Sequence, residues 1–123
     1  MAIVEDTSGF LNKIKWTWTC AADGTFTSAT TNRYNGICHK LVTIPAAAGN
    51  APTTLYDITI TDADGVDVLQ GNGADRSATL NEYKSFSDGL GDVKSSVLTL
   101  NITNAGNAKQ GTVVLYLIDV DER

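Results

Sequence analysis

Leu98-Thr99-Leu100-Asn101-Ile102-Thr103-Asn104, followed after Ala105-Gly106-Asn107-Ala108-Lys109-Gln110 by Gly111-Thr112-Val113-Val114-Leu115-Tyr116-Leu117-Ile118, decides the fold class. In the first segment Leu98, Leu100 and Ile102 alternate with Thr99, Asn101 and Thr103. A period of two is that of a strand with one face in a core and one toward water. The second segment is apolar on both faces, which suits a central strand covered on both sides. Together, Ser96 to Asn104 and Gly111 to Val120 read as a hairpin beneath a second sheet. The expected class is all-β: a β-sandwich, jelly-roll-like, with seven to eight strands.

The rest of the chain supplies the other strands. From Leu11 to Cys20, Ile14, Trp16, Trp18 and Cys20 share one face, and Lys13, Lys15, Thr17 and Thr19 the other. Asp23-Gly24 and Asn35-Gly36 are tight-turn dipeptides. They bound strands at Thr25 to Tyr34 and Ile37 to Ile44, which makes the first three strands a meander. Leu55 to Asp62 alternates again, and Ala63-Asp64-Gly65 turns it into Val66 to Leu69. Between Gln70 and Ser95 the pattern weakens. A short strand near Ala78 to Phe86 competes there with one helical turn capped by Thr79-Leu80-Asn81-Glu82. Residues 1–9 read as a loose N-terminal arm and residues 10–123 as a single sandwich domain, a size that permits a real core.

Charge and composition exclude several functions. The net charge is −5, without a basic cluster, which argues against a nucleic-acid partner. Lys13 and Lys15 read as the solvated face of an edge strand. The N-terminus has neither the positive start nor the apolar run of a signal peptide, and no segment suits a membrane span. Synthesis and folding in a cytoplasm are expected.

Nothing marks a catalytic site, so the chain is not expected to be an enzyme. His39 is the only histidine, and no nucleophile and base are advertised beside it. In a three-strand meander Cys20 and Cys38 lie roughly 20–26 Å apart, far beyond the about 7 Å that a disulfide allows. Two free thiols follow, and the same separation defeats a metal site with His39. Asp62-Ala63-Asp64-Gly65-Val66-Asp67 lacks the spacing of a calcium-binding helix–loop–helix motif, and a turn explains it. No metal and no cofactor are expected. Trp16 and Trp18, beside Ile14 and Cys20, are expected in the core; were that face exposed, they would form a sugar-stacking platform.

Leu55-Tyr56-Asp57-Ile58-Thr59-Ile60-Thr61-Asp62-Ala63-Asp64-Gly65-Val66-Asp67-Val68-Leu69-Gln70-Gly71, inside the longer run Ala51 to Arg76, resembles small virion proteins of tailed bacteriophages. The late stretch Leu98 to Leu117 is similar to the same group, so the resemblance covers about the C-terminal two thirds of the chain. It implies a structural role and carries no catalytic residue. The reading it favours is a capsid cement or decoration subunit that stabilises the head by bridging capsid proteins. A neck or tail accessory protein, and a carbohydrate-binding module for host attachment, stand beside it. The implied partners are the major capsid protein or other virion proteins, the implied location is the virion, and the implied oligomer is a homotrimer. The arm and the Gln70 to Ser95 segment have too little apolar pattern to pack alone and are expected to be ordered by neighbouring chains. The assembly contacts expected on that basis are Ile3, Val4, Phe10, Tyr83, Phe86 and Leu90.

Overall fold

The computed structural model of the chain describes residues 2–119. It is a β-sandwich of nine strands in two antiparallel sheets. The strands are β1 (Ala2–Asp6), β2 (Leu11–Thr19), β3 (Phe26–Ala29), β4 (Tyr34–Pro45), β5 (Asp57–Thr61), β6 (Glu82–Ser85), β7 (Asp92–Ser96), β8 (Thr99–Thr103) and β9 (Gln110–Asp119). One sheet runs β1-β2-β9-β4-β6, with β7 also paired to β4; the other runs β3-β8-β5.

The alternation read from sequence sets which side of each strand is covered. In β2, Asn12, Ile14, Trp16 and Trp18 are buried and the residues between them are exposed. The core takes Ile14, Trp16 and Trp18 together with Leu41, Val113, Leu115 and Leu117 from the large sheet and Ile58, Ile60, Leu100 and Ile102 from the small one. Trp18 leans on Tyr56 with ring centroids 5.7 Å apart, so an aromatic contact ties the two layers. With both indoles fully buried, a sugar platform built on Trp16 and Trp18 is ruled out.

The pairing differs from the sequence reading. β8 and β9 do not form a hairpin: β8 lies between β3 and β5, while β9 lies between β2 and β4. Their link bends over the end of the sandwich through three residues of left-handed backbone, Asn104 (φ 61°), Gly106 (φ 92°) and Ala108 (φ 54°). β9 is central, as its apolar character requires, but the second sheet covers only one of its faces. Nor do β2, β3 and β4 form a meander. The Asp23-Gly24 turn is present, with Asp23 Oδ1 accepting the Thr25 amide at 3.1 Å, yet it joins strands of different sheets. Asn35-Gly36 is not a turn; both residues lie inside β4. Glycine is required there because a Cβ would run into the backbone carbonyl of Ile118 on β9.

Three further expectations change. Residues 2–6 of the supposed arm are an edge strand, paired from Ala2↔Thr17 to Asp6↔Lys13. Ile3 packs on the core. Glu5 reaches across to the β3–β4 loop, where its carboxylate accepts the amides of Thr31 (2.9 Å) and Asn32 (3.0 Å) and the Tyr34 hydroxyl (2.8 Å). Val66 to Leu69 is not a strand but a run of turns, bridged to β5 at Thr61↔Asp67 and tied to it where the Val68 amide donates to the Ile60 carbonyl at 2.8 Å. The Gln70 to Ser95 segment is held by its own chain. Arg76 pairs with Tyr56 across a bridge and with the Glu82 carboxylate at 3.5 Å, Leu90 and Val93 enter the core, and the segment forms β6, a 3-10 turn at Phe86–Asp88 and β7. No helical turn forms at Thr79 to Glu82.

Both cysteines are free and buried. Cys20 stands beside Lys109 and Cys38 opposite Leu117, so about eight residues of β9, roughly 26 Å, separate them. The sequence argument thus reached the right outcome through a wrong pairing. Burial, with the Asp92 and Asp67 carboxylates nearby, pushes the Cys38 thiol up to about 12. A thiol reagent should therefore label neither cysteine rapidly in the native protein and both after unfolding. Fast native labelling of Cys38 would show that the β4–β9 layer opens.

The acidic run from Asp62 to Asp67 is occupied by its own backbone. Asp62 Oδ1 accepts the amides of Asp64 (2.9 Å) and Val66 (3.0 Å). Asp67 Oδ1 accepts those of Ile60 (3.2 Å) and Leu69 (3.0 Å), and its Oδ2 that of Gly71 (3.0 Å). We expect a chelator to leave Tm unchanged. A fall of several degrees would place an ion on these carboxylates.

Candidate interaction surface

The small sheet cannot cover the far side of the large one, so the large sheet presents a broad outer face. Strand register fixes its rows. One reads Val4, Lys15, Val114, Val42, Tyr83; the next reads Asp6, Lys13, Tyr116, Lys40, Ser85. A third brings Leu11 beside Ile118 and Ile37. Val42 and Val114 are buried in the middle by their neighbours on the same sheet, while Val4 (58%), Tyr83 (60%), Leu11 and Ile118 are exposed around them.

The polar component is cationic and ordered. The Lys40 ammonium stands 5.2 Å from the Tyr83 ring centroid and 5.9 Å from that of Tyr116, and Lys13 approaches Tyr116 from the other side at 5.9 Å. These distances suit cation–π attraction, worth about 0.5–1 kcal/mol each at exposed sites. They link four side chains, Lys13, Tyr116, Lys40 and Tyr83, across β2, β9, β4 and β6. The lysines are not on an edge, as the sequence suggested: β2 is flanked by β1 and β9. The face carries Lys13, Lys15 and Lys40, with Asp6 at its margin, although the chain as a whole has net charge −5. Hydrogen bonds from Ser8, then the nearby Lys13, hold the Asp6 carboxyl below its ordinary value.

Of the residues expected to make contacts, Val4 and Tyr83 stand on this face. Phe86 is exposed just beyond β6, and Phe10 projects from the β1–β2 turn. Ile3 is half-buried against the core and Leu90 is fully within it, so neither offers a free surface. Lys40, Tyr116, Leu11 and Ile118 were not singled out from sequence, and Lys13 was read only as part of a solvated edge. The signal for Tyr116 and Ile118 was the second apolar face of β9, which sequence assigned to a covering layer. His39 is exposed at a β-bulge between Cys38 and Lys40. Among the described residues no group of three or more histidine, cysteine or carboxylate side chains gathers as a metal site would require. The arrangement is suited to bury apolar area and offer ammonium groups to a partner's carboxylates. No protein-family model matches the chain, and neither do curated proteins or solved structures.

Proposed function

We propose that the chain is a structural subunit of a tailed-phage virion, a capsid cement or decoration protein that docks through the outer face of the large sheet. The observation that carries this reading is the outer-face row of Val4, Lys15, Val114, Val42 and Tyr83, exposed at its two ends, with Lys13 and Lys40 in the row beside it. Exposed valine, leucine, isoleucine and tyrosine on one rigid layer favour association. The lysines select an acidic partner surface. The sequence resemblance of Ala51 to Arg76 and of Leu98 to Leu117 to small virion proteins supports the same role. The major capsid protein is the proposed partner, and the proposed oligomer is a homotrimer seated on it.

The contact is assigned to the sheet face and not to an N-terminal arm, because residues 2–6 are already committed to β1. Deleting residues 2–9 would remove a strand and so confound folding with docking. The cleaner variant is Val4→Asp with Tyr83→Asp, both exposed. Its Tm should stay near that of the wild type, and its occupancy on virions should fall at least tenfold. Full occupancy would refute the face assignment. Immunogold labelling confined to the tail would replace the cement reading with a tail or neck role.

A further inference from the structure

We propose that the cleft at one end of the sandwich, between the β1–β2 turn and the β3–β4 loop, binds a neutral saccharide. The proposal is independent of a virion role. The cleft has a volume of about 700 Å³, within the about 300–1,000 Å³ range of small-molecule sites. Its lining includes Phe10, Asn12, Asn32, Arg33, Asn35 and Asp119.

Asn12 is the residue that a purely structural cleft would not need. It occupies the inward side of β2, in register with Ile14, Trp16 and Trp18, and is only 4% exposed. Its Oδ1 has no hydrogen-bond partner. Among the described residues Trp16 Nε1, Trp18 Nε1, Thr43 Oγ1 and Tyr56 Oη share that condition, but of these side chains Asn12 alone lines the cleft. A leucine would satisfy the core at this position, and an unpaired buried amide destabilises it. An amide carries both a donor and an acceptor end, and rotation about χ2 exchanges the one presented to the cleft. That is the chemistry that reads a hydroxyl, which also donates and accepts.

The walls agree with this ligand class. Phe10 is 84% exposed, yet its backbone is pinned, its carbonyl accepting the Asp119 amide at 2.7 Å. A bare aromatic ring on an anchored backbone at the rim is a stacking surface for the C–H face of a pyranose. Asn35 is held by Ser95, whose amide and hydroxyl donate to Asn35 Oδ1 at 2.9 and 3.2 Å. Arg33 is held by donating to the Ser95 carbonyl at 2.9 Å. One guanidinium and one carboxylate in the same cleft leave it without net charge, which disfavours an ionic ligand. Three asparagines, a preorganised Arg33 and one exposed ring suit a flat molecule that is rich in hydroxyls and uncharged.

The test is a titration of the full chain, followed by ¹H–¹⁵N shifts and saturation-transfer difference NMR. The probes are the methyl glycosides of glucose, galactose, mannose and N-acetylglucosamine, with cellobiose, lactose and chitobiose. At least one should bind with Kd of about 1 mM or tighter, with shifts confined to Gly9 to Asn12 and Asn32 to Asn35. Phe10→Ala, which alters an exposed ring, should weaken it at least tenfold at unchanged Tm. Asn12→Leu should abolish binding while raising Tm, an outcome that a merely structural asparagine would reverse. Three results would overturn the proposal: no saturable shift with any probe, shifts elsewhere on the surface, or binding undiminished in Phe10→Ala.

Discussion

Leu115→Asp should yield no soluble folded protein. Leu115 is 0% exposed in the middle of β9, with Ile14 on one side and Leu41 on the other. A carboxylate there has no cation within the core, and burying it unpaired costs several kcal/mol. Domains of this kind are stable by about 5–15 kcal/mol in total. Leu115→Ala should fold but lose about 2–5 kcal/mol, because a cavity opens between layers that cannot collapse around it. The neighbouring Val114→Asp should be milder despite similar burial. Val114 faces outward, and Lys15 lies directly opposite it on β2. Measuring soluble yield and Tm for the three variants tests the sidedness of β9. A Leu115→Asp protein with wild-type Tm would move β9 out of the centre.

The second large effect is expected at Glu5. Its carboxylate accepts three hydrogen bonds from Thr31, Asn32 and Tyr34, so it fastens the edge strand to the β3–β4 loop. Hydrogen bonds to a charged acceptor are worth about 1.5–3 kcal/mol each when shielded. Glu5 is half-exposed, so water replaces part of that in the variant. Glu5→Ala should therefore cost about 2 kcal/mol, a fall in Tm of roughly 6–10 °C. A double-mutant cycle with Tyr34→Phe isolates the hydroxyl contact. The same pair predicts a pH dependence. Burial first, and then the bond to Glu5, raise the Tyr34 phenol well above its ordinary value of 10.0. The contribution of neutral Tyr34 is complete below pH 10 and is lost as the pH climbs toward the raised value. Stability should decline above pH 10 more steeply in the wild type than in Tyr34→Phe. Equal alkaline profiles would remove Glu5–Tyr34 as the clasp.

Sidedness was legible in the sequence; partnership was not. The alternation in β2, β5 and β8 set their buried faces correctly, because burial on one side is a local property of a strand. Which strand lies beside which depends on the links, and these were misread where one residue type serves two purposes. Gly36 looked like half of a turn, but it is the point where β4 passes too close to β9 for a side chain. The residues after Asn104 looked like a hairpin loop, but their left-handed backbone carries the chain from one sheet to the other. β1 escaped detection because Glu5 occupies an inward position at its end, so its period of two is not apolar against polar. The outer face was half legible. Tyr83 and Val4 stood out by type, whereas Lys13, Tyr116 and Lys40 come together only once β2, β9 and β4 are adjacent. Phe10 was legible as an exposed apolar residue, but the cleft beside it is assembled from loops far apart in sequence.

The position of β9 also bears on how the molecule comes into being. β9 is translated after both strands that flank it. Until it emerges from the ribosome, β2 and β4 have no common neighbour, and Ile14, Trp16 and Leu41 have only part of their surroundings. The β1–β2 hairpin and the pairing of β4 with β6 and β7 are all that the large sheet can assemble beforehand. Closure joins segments far apart in sequence, with Leu11 meeting Ile118, so folding has a high contact order and is expected to be slow for the molecule's size. A nascent chain halted before Gln110 exposes unpaired strand edges beside bare tryptophans, the condition in which β-proteins aggregate. Chains truncated before Gln110 should be found in the insoluble fraction.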